Sequence, residues 1–103
     1  MSLQSTLLTT TVANVYVSAG NTAVTTVYVS NYHATANAAF TVYAVTSGSS
    51  PSSTNQIYNN VVVNAGDTYI IDTEKLLLSN NETLRMSTNA NSVVSTTIVY
   101  TTL

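Results

Sequence analysis

Short runs of valine, threonine and tyrosine fill this chain of 103 residues, and clusters of glycine, asparagine, aspartate and serine separate the runs. β-Branched and aromatic side chains fit a pleated sheet, whereas a helix restricts their χ1 rotation. Eight runs are therefore predicted to be strands, at residues 15–17, 23–29, 40–45, 57–63, 68–72, 76–78, 83–87 and 93–100. Short strands at this spacing predict an all-β fold, an antiparallel β-sandwich with either jelly-roll or immunoglobulin-like topology.

The first two predicted strands flank a strong turn signal, Ser18-Ala19-Gly20-Asn21. Two apolar runs joined by a short segment that contains glycine are typical of a β-hairpin. We therefore expect residues 15–17 and 23–29 to pair with each other.

The chain has the length of one domain, which we assign to residues 12–103. Residues 1–11 differ in character, because Leu3, Leu7 and Leu8 stand among polar residues with no turn signal before residue 12. Two interpretations of this segment stay open. It is either an edge strand of the domain's own sheet or an arm that leaves the domain and docks on a neighbouring subunit.

Charged residues are scarce, since two basic and four acidic side chains make up 6% of the chain and give a net charge of −2. In their place stand 19 threonines, 13 serines and 12 asparagines, so the surface is expected to be polar but almost uncharged. Two cations cannot displace the counterions of a nucleic acid, and we expect no such partner. The chain also lacks a long apolar run and a basic leader, so we expect no membrane partner and synthesis in a host cytoplasm.

Catalytic and metal-binding groups are equally few. Histidine occurs once, at His33, and cysteine is absent, so a serine protease-like triad would depend on His33 and a zinc or copper site lacks ligands. Asp67, Asp72 and Glu74 are close in sequence but do not have the spacing of an EF-hand. We therefore predict no catalytic residues, no cofactor and no metal, and we interpret His33 as a surface loop residue.

Three segments and the valine-rich last strand carry a resemblance to a known class of proteins. The segments are residues 20–31 (GNTAVTTVYVSN), residues 57–58 with 61–69 (IY and VVVNAGDTY), and residues 76–90 (LLLSNNETLRMSTNA). From about residue 15 onward the chain resembles small structural proteins of tailed-bacteriophage virions. The usual pattern there is Leu-x-x-Gly-Asp-Thr-Leu/Ile-Arg, where this chain has Asn80-Asn81-Glu82-Thr83-Leu84-Arg85. The resemblance implies a β-sandwich that assembles on a capsid or tail, often as a decoration or cement protein, without catalytic residues.

We therefore expect a non-enzymatic structural protein of a bacteriophage virion, most of all a capsid decoration subunit that binds and stabilises the shell. Its expected partners are the major capsid protein or other virion proteins and further copies in a homo-oligomer. The reason is that burying a surface without ions costs little desolvation free energy. A tail or neck accessory protein is the alternative in this class, and a carbohydrate-binding module is the alternative from another class. The candidate interface residues are Leu3, Leu7, Leu8, Tyr32, His33 and Pro51.

Overall fold

A computed structural model of the protein describes residues 2–72, 76–89 and 93–103. These ranges form nine strands in two antiparallel sheets and no helix, so the prediction of an all-β antiparallel sandwich is confirmed. Strands β2 to β9 correspond to the eight predicted runs, and β1 lies in the segment before them. The strands are β1 (Ser2–Leu7), β2 (Ala13–Val17), β3 (Thr22–Asn31), β4 (Ala38–Val45), β5 (Gln56–Val63), β6 (Thr68–Ile71), β7 (Leu76–Leu78), β8 (Thr83–Thr88) and β9 (Val94–Thr102).

The strands pair in nested order along the chain. β1 pairs with β9, β2 with β8, β3 with both β6 and β7, and β4 with β5. The pairs β3–β9 and β4–β8 then complete a five-stranded sheet, β1-β9-β3-β6 with β7 also on β3, and a four-stranded sheet, β2-β8-β4-β5. A long hairpin rolled up in this way is a jelly roll. Its tip is the loop of residues 46–55.

The predicted hairpin between residues 15–17 and 23–29 is wrong. β2 belongs to the four-stranded sheet and β3 to the five-stranded sheet, so the connection between them crosses from one sheet to the other. Ser18 Oγ lies 2.8 Å from the carbonyl oxygen of Gly20 and 2.9 Å from Thr22 Oγ1, which fixes this crossing. Gly20 adopts a φ of 74°, a conformation that suits glycine in a crossing as well as in a hairpin. Residues 18–21 therefore do form a turn, but their sequence does not identify the strand that β2 pairs with.

The core lies between the two sheets, where the inward side chains of each strand alternate with outward ones. Two aromatic pairs join the sheets, since the ring centroids of Tyr16 and Tyr100 are 4.5 Å apart and those of Phe40 and Tyr69 are 5.5 Å apart. The remaining buried members of the core are Leu8, Val15, Val24, Val27, Val29, Ala38, Val42, Val63, Ile71, Leu78, Leu84, Met86, Val94 and Ile98.

A bulge in β3 adjusts its sequence to this alternation. Val24 and Val27 are both buried although they are three residues apart, which a regular strand does not allow. The register against β9 shifts between Val24 and Thr26, so Thr25 is the extra residue of a bulge. As a result Val27 and Val29 face the core and Tyr28 faces outward.

The turn before β8 keeps a glycine-type conformation without glycine. The backbone N–H of Glu82 donates a hydrogen bond to the carbonyl of Ser79 at 3.0 Å, and Asn81 has a φ of 66°. A positive φ at the third residue of a four-residue turn favours glycine, and asparagine tolerates it better than most residues. Asn81 thus adopts the conformation that glycine favours at this turn position.

Candidate functional site

Among the described residues, the five strands of the five-stranded sheet place no charged side chain on its outer face. The sequences of β1, β3, β6, β7 and β9 contain no aspartate, glutamate, lysine or arginine. Asp67 and Asp72 stand directly before and after β6, at the border of the sheet. We call this surface the uncharged face. Alternation and register place these side chains on it: Leu3, Ser5, Leu7, Tyr28, Ser30, Thr68, Ile70, Leu77, Ser95, Thr97 and Val99.

Among the described residues, the uncharged face holds more exposed large apolar side chains than the four-stranded sheet does, five against three. It holds Leu3 (68% exposed), Leu7 (49%), Tyr28 (39%), Ile70 (51%) and Leu77 (72%). These are five of the eleven exposed large apolar side chains in the described ranges. The other six lie on the four-stranded sheet (Val17, Ile57, Val62), at an inward position of β6 (Tyr69), in a loop (Tyr32) and at the last residue (Leu103). Tyr28 and Ile70 are neighbours in register, and the hydroxyl residues Ser5, Ser95 and Thr97 lie between them and the leucines of β1. Exposed apolar surface rimmed by polar residues is typical of an interaction site.

Apolar and hydroxyl side chains are neighbours on this face. Tyr28 lies between Thr97 of β9 and Ile70 of β6. Thr97 in turn lies opposite Ser5 of β1, and their hydroxyl oxygens are 2.9 Å apart. A partner pressed against this row can therefore make apolar contacts and hydrogen bonds without removing an ion from water.

The outer face of the four-stranded sheet is different, because Arg85 of β8 lies on it. Arg85 pairs with Asn14 on one side and Tyr43 on the other, and its Nε donates a hydrogen bond to Thr83 Oγ1 at 3.2 Å. Within the described residues, Arg85 is the one charged side chain that belongs to a strand. The two faces of the sandwich therefore differ in charge as well as in the number of exposed large apolar side chains among the described residues.

The three leucines of the N-terminal segment have two different environments. Leu3 and Leu7 lie on the uncharged face. Leu8 is 2% exposed and packs in the core, and its backbone N–H donates a hydrogen bond to the carbonyl of Val94 at 2.8 Å. Leu8 thus anchors the end of β1 and presents no side-chain surface to a partner in this conformation.

Tyr32 and His33 belong to the loop between β3 and β4. The Tyr32 side chain is exposed, and His33 is half-buried. His33 Nδ1 accepts hydrogen bonds from the backbone N–H groups of Thr35 at 3.1 Å and Ala36 at 3.0 Å. The one histidine of the chain therefore fixes the shape of this loop.

Asn31, which the sequence did not single out, supports the same loop from inside. It is fully buried at the end of β3. Its Nδ2 donates to the carbonyls of Ala36 at 2.9 Å and Val63 at 3.0 Å, and its Oδ1 accepts from the N–H of His33 at 3.0 Å. Each polar group of this side chain is hydrogen-bonded, so the loop is tied to the start of the turn after β5.

Pro51 lies half-buried in the loop of residues 46–55, which follows β4, whereas the loop with Tyr32 and His33 precedes β4. These two loops are consequently at opposite ends of the sandwich. The six predicted interface residues therefore do not form one patch. Only Leu3 and Leu7 share a surface that is rich in exposed apolar side chains.

Three exposed apolar residues of the uncharged face are not among the predicted interface residues: Tyr28, Ile70 and Leu77. The outward position of Tyr28 was predictable from the sequence, because Tyr28 stands between Val27 and Val29 and alternation along a strand places it on the face opposite to theirs. Ile70 and Leu77 lie in uninterrupted apolar runs, where alternation gives no signal.

The described residues contain no group of three histidine or acidic side chains that could hold a metal ion, and Glu74 and Lys75 lie outside them. Two small cavities, of about 130 and 100 Å³, open beside Leu76. Pockets for small molecules usually measure about 300–1,000 Å³. The cavities therefore give less support to a ligand site than the uncharged face gives to a protein interface.

No helix among the described residues has the length and apolar character needed to cross a lipid bilayer. No known protein family, curated protein or solved structure matches the chain.

Proposed function

We propose that this protein is a non-enzymatic structural subunit of a bacteriophage particle, which decorates the capsid shell and stabilises it through the uncharged face. The observation that carries the proposal is a sheet surface whose strands hold five exposed large apolar side chains and, within the described ranges, no charged residue. The sequence resemblance to virion proteins suggests the particle, and the uncharged face suggests the mode of binding.

The free energy of contact favours burial of this face. Apolar surface removed from water contributes about 25 cal/mol per Å². Hydroxyl groups such as those of Ser5 and Thr97 can form hydrogen bonds across a contact, whereas each ion taken out of water costs several kcal/mol unless it is well paired. Since the strands of this face contain no charged residue in the part of the chain that the structure describes, burying them carries no such cost.

The dimensions of the face suggest binding to a lattice. Four neighbouring strands are about 19 Å wide and a nine-residue strand is about 30 Å long, so the face covers at most roughly 600 Å². A stable pairwise interface uses about 800 Å² from each partner. A single contact would be weak, but many copies on a repeating shell would stabilise the assembled state together.

A carbohydrate-binding module is the second candidate. Jelly rolls also serve as lectin scaffolds, and aromatic rings stack on the apolar faces of sugars. The observation that favours this candidate is Tyr32, whose exposed ring stands on a loop that Asn31 and His33 hold in place.

The test is to mix the purified protein with preformed phage shells that lack it, and to measure co-sedimentation and the melting temperature of the shells. We expect saturable binding and a raised melting temperature. Ile70→Lys, on the uncharged face, should abolish both effects. Val62→Lys is the matched control, because Val62 has similar exposure on the four-stranded sheet.

Other outcomes would redirect the assignment. Binding to isolated tails or necks instead of shells would make the protein an accessory protein of those parts. Retention on host glycans that is lost in Tyr32→Ala but not in Ile70→Lys would favour the carbohydrate-binding module. Absence of binding to every virion component would contradict the proposal.

A further inference from the structure

The outer edge of β1 is unlike the other sheet edges. β1 pairs with β9 at six consecutive residues without a register shift, and it contains no charge, proline or glycine. Natural proteins usually protect such edges with charges, prolines or bulges. The other edges are interrupted: β2 by a shift between Asn14 and Tyr16, β5 by two shifts and by Asn60 with a φ of 49°, and the far edge of the five-stranded sheet by its division between β6 and β7.

We propose that β1 pairs antiparallel with β1 of a second copy of this chain, across a two-fold axis perpendicular to the sheet. The two five-stranded sheets then continue into each other. Ser5 lies opposite Ser5 of the partner subunit at the axis, and Leu3 lies opposite the partner's Leu7.

The spacing of the outward residues selects this register. A two-fold axis perpendicular to the sheet keeps both outer faces on the same side, so outward residues must oppose outward residues. Leu3 and Leu7 lie two positions before and after Ser5 and share its face. Centring the pair on Ser5 therefore brings two Leu–Leu pairs together, and such apolar cross-strand pairs stabilise antiparallel sheets.

Charge also favours a second copy as the occupant. A two-fold axis brings the same surface of both subunits together, so any charged residue on β1 would lie close to the same charged residue of the partner subunit. β1 has no charged residue, and neither does its neighbour β9. Self-pairing at this edge therefore brings no like charges together.

The area of the contact sets its strength. A six-residue strand is about 20 Å long. The two sheets are about 10 Å apart, so the side of the sandwich that β1 borders is about 20 Å high when the side chains are included. The contact then covers roughly 400 Å² per subunit, about half of what a stable pairwise interface uses. The dimer is consequently a concentration-dependent one. This inference goes beyond the proposed function and does not rest on it, because it concerns the isolated protein.

Sedimentation velocity from micromolar to millimolar concentration tests the pairing. We expect a reversible monomer–dimer equilibrium for the unmodified protein. Ser5→Lys should weaken it by at least about tenfold. Leu77→Lys, a charge on the same face beside the opposite edge, should leave it unchanged, and circular dichroism should show that both variants are folded.

Cross-linking tests the register, because the chain contains no cysteine. Ser5→Cys should form a disulfide-linked dimer on mild oxidation, since cross-strand partners lie within the range that a disulfide spans. Leu3→Cys alone should not cross-link, whereas Leu3→Cys together with Leu7→Cys should. A monomer at every concentration would overturn the proposal, and so would a Ser5→Cys variant that cross-links no faster than a Thr46→Cys variant in the exposed loop.

Discussion

The side-chain amide of Gln4 donates a hydrogen bond to the backbone carbonyl of Val15, and the donor and acceptor atoms are 2.7 Å apart. Gln4 belongs to β1 of the five-stranded sheet, and Val15 is the extra residue of the bulge in β2 of the four-stranded sheet. A bulge residue falls out of the regular ladder, so its backbone groups need other partners. Gln4 supplies one of them and ties the first strand to the opposite sheet.

Replacing Gln4 with alanine should loosen β1. We expect the free energy of unfolding to fall by about 1 kcal/mol, as for the loss of one partly buried hydrogen bond. Amide hydrogen exchange should accelerate in β1 before it does in β3. Gln56→Ala is the control, because it removes the same amide from an edge strand where the amide makes no hydrogen bond with the described residues. Equal effects of the two substitutions would contradict a specific role for Gln4.

Asn31→Leu should be strongly destabilising. It leaves one buried and two partly buried backbone groups without their partner. An unsatisfied buried group costs about 1–3 kcal/mol and a partly exposed one costs less, so we expect a loss of about 2–4 kcal/mol in urea unfolding. Asn31→Asp should also destabilise, because a carboxylate oxygen would face two carbonyls. Asn37→Asp is the matched control, since Asn37 uses only its Oδ1, which accepts from the N–H of Ala65 at 3.1 Å. A stable Asn31→Asp variant would show that these bonds are not needed.

His33→Asn should preserve the loop that His33→Ala disrupts. The Oδ1 atom of asparagine lies close to the position of histidine Nδ1, so it can accept the same two N–H groups, those of Thr35 and Ala36. We expect the alanine variant to lose about 0.5–1.5 kcal/mol and the asparagine variant to lose less than half of that. Chemical denaturation measures the stability, and NMR shifts of these amides report the local structure. If alanine and asparagine behave alike, the Nδ1 contacts are not what stabilises the loop.

Asn81→Gly should maintain or increase stability. At a φ of 66° glycine has no steric penalty, whereas a β-branched residue in this region costs about 1–2 kcal/mol. Asn81→Val should therefore lower the melting temperature. Asn64→Val should change it much less, because Asn64 is exposed, does not have a positive φ and makes no side-chain hydrogen bond with the described residues. The opposite ranking of the two valine variants would refute the proposed role of backbone conformation.

Exchange of Ile70 and Leu77 for threonine should make the protein more soluble. Both side chains are exposed, and threonine keeps strand propensity, so we expect the stability to change by no more than about 0.5 kcal/mol. Precipitation by ammonium sulfate measures the solubility limit. The same exchange of Val17 and Val62, which are exposed on the four-stranded sheet, is the control. A larger gain from the control pair would argue against the uncharged face as the main adhesive surface.

The existence of most strands was predictable, because runs of β-branched residues are separated by clusters of turn residues along the chain. This pattern is typical of all-β folds. Their pairing was not predictable in the same way. The segment from Ser18 to Asn21 has the composition of a hairpin turn, but it carries the chain between sheets. Local composition specifies that the chain turns, whereas contacts distant in sequence, such as β2 with β8, decide which strand it meets.

The candidate surface was predictable only in part. Leu3 and Leu7 stood out because polar residues surround them, and both lie on the uncharged face. Leu8 has the same composition around it and is buried, since it follows the end of β1 and fills the core. For Asn31 no sequence signal distinguishes it from the eleven other asparagines, because its three hydrogen bonds depend on where β5 ends.

The nested pairing has a consequence for synthesis. The partners of β1 and β2 are β9 and β8, so a ribosome makes the first two strands long before the strands that complete them. Ser2, for example, cannot pair until Tyr100, its partner in the finished sheet, has been synthesised. The sandwich can therefore close only after β9 has been made, and until then β1 and β2 lack the strands that pair with them.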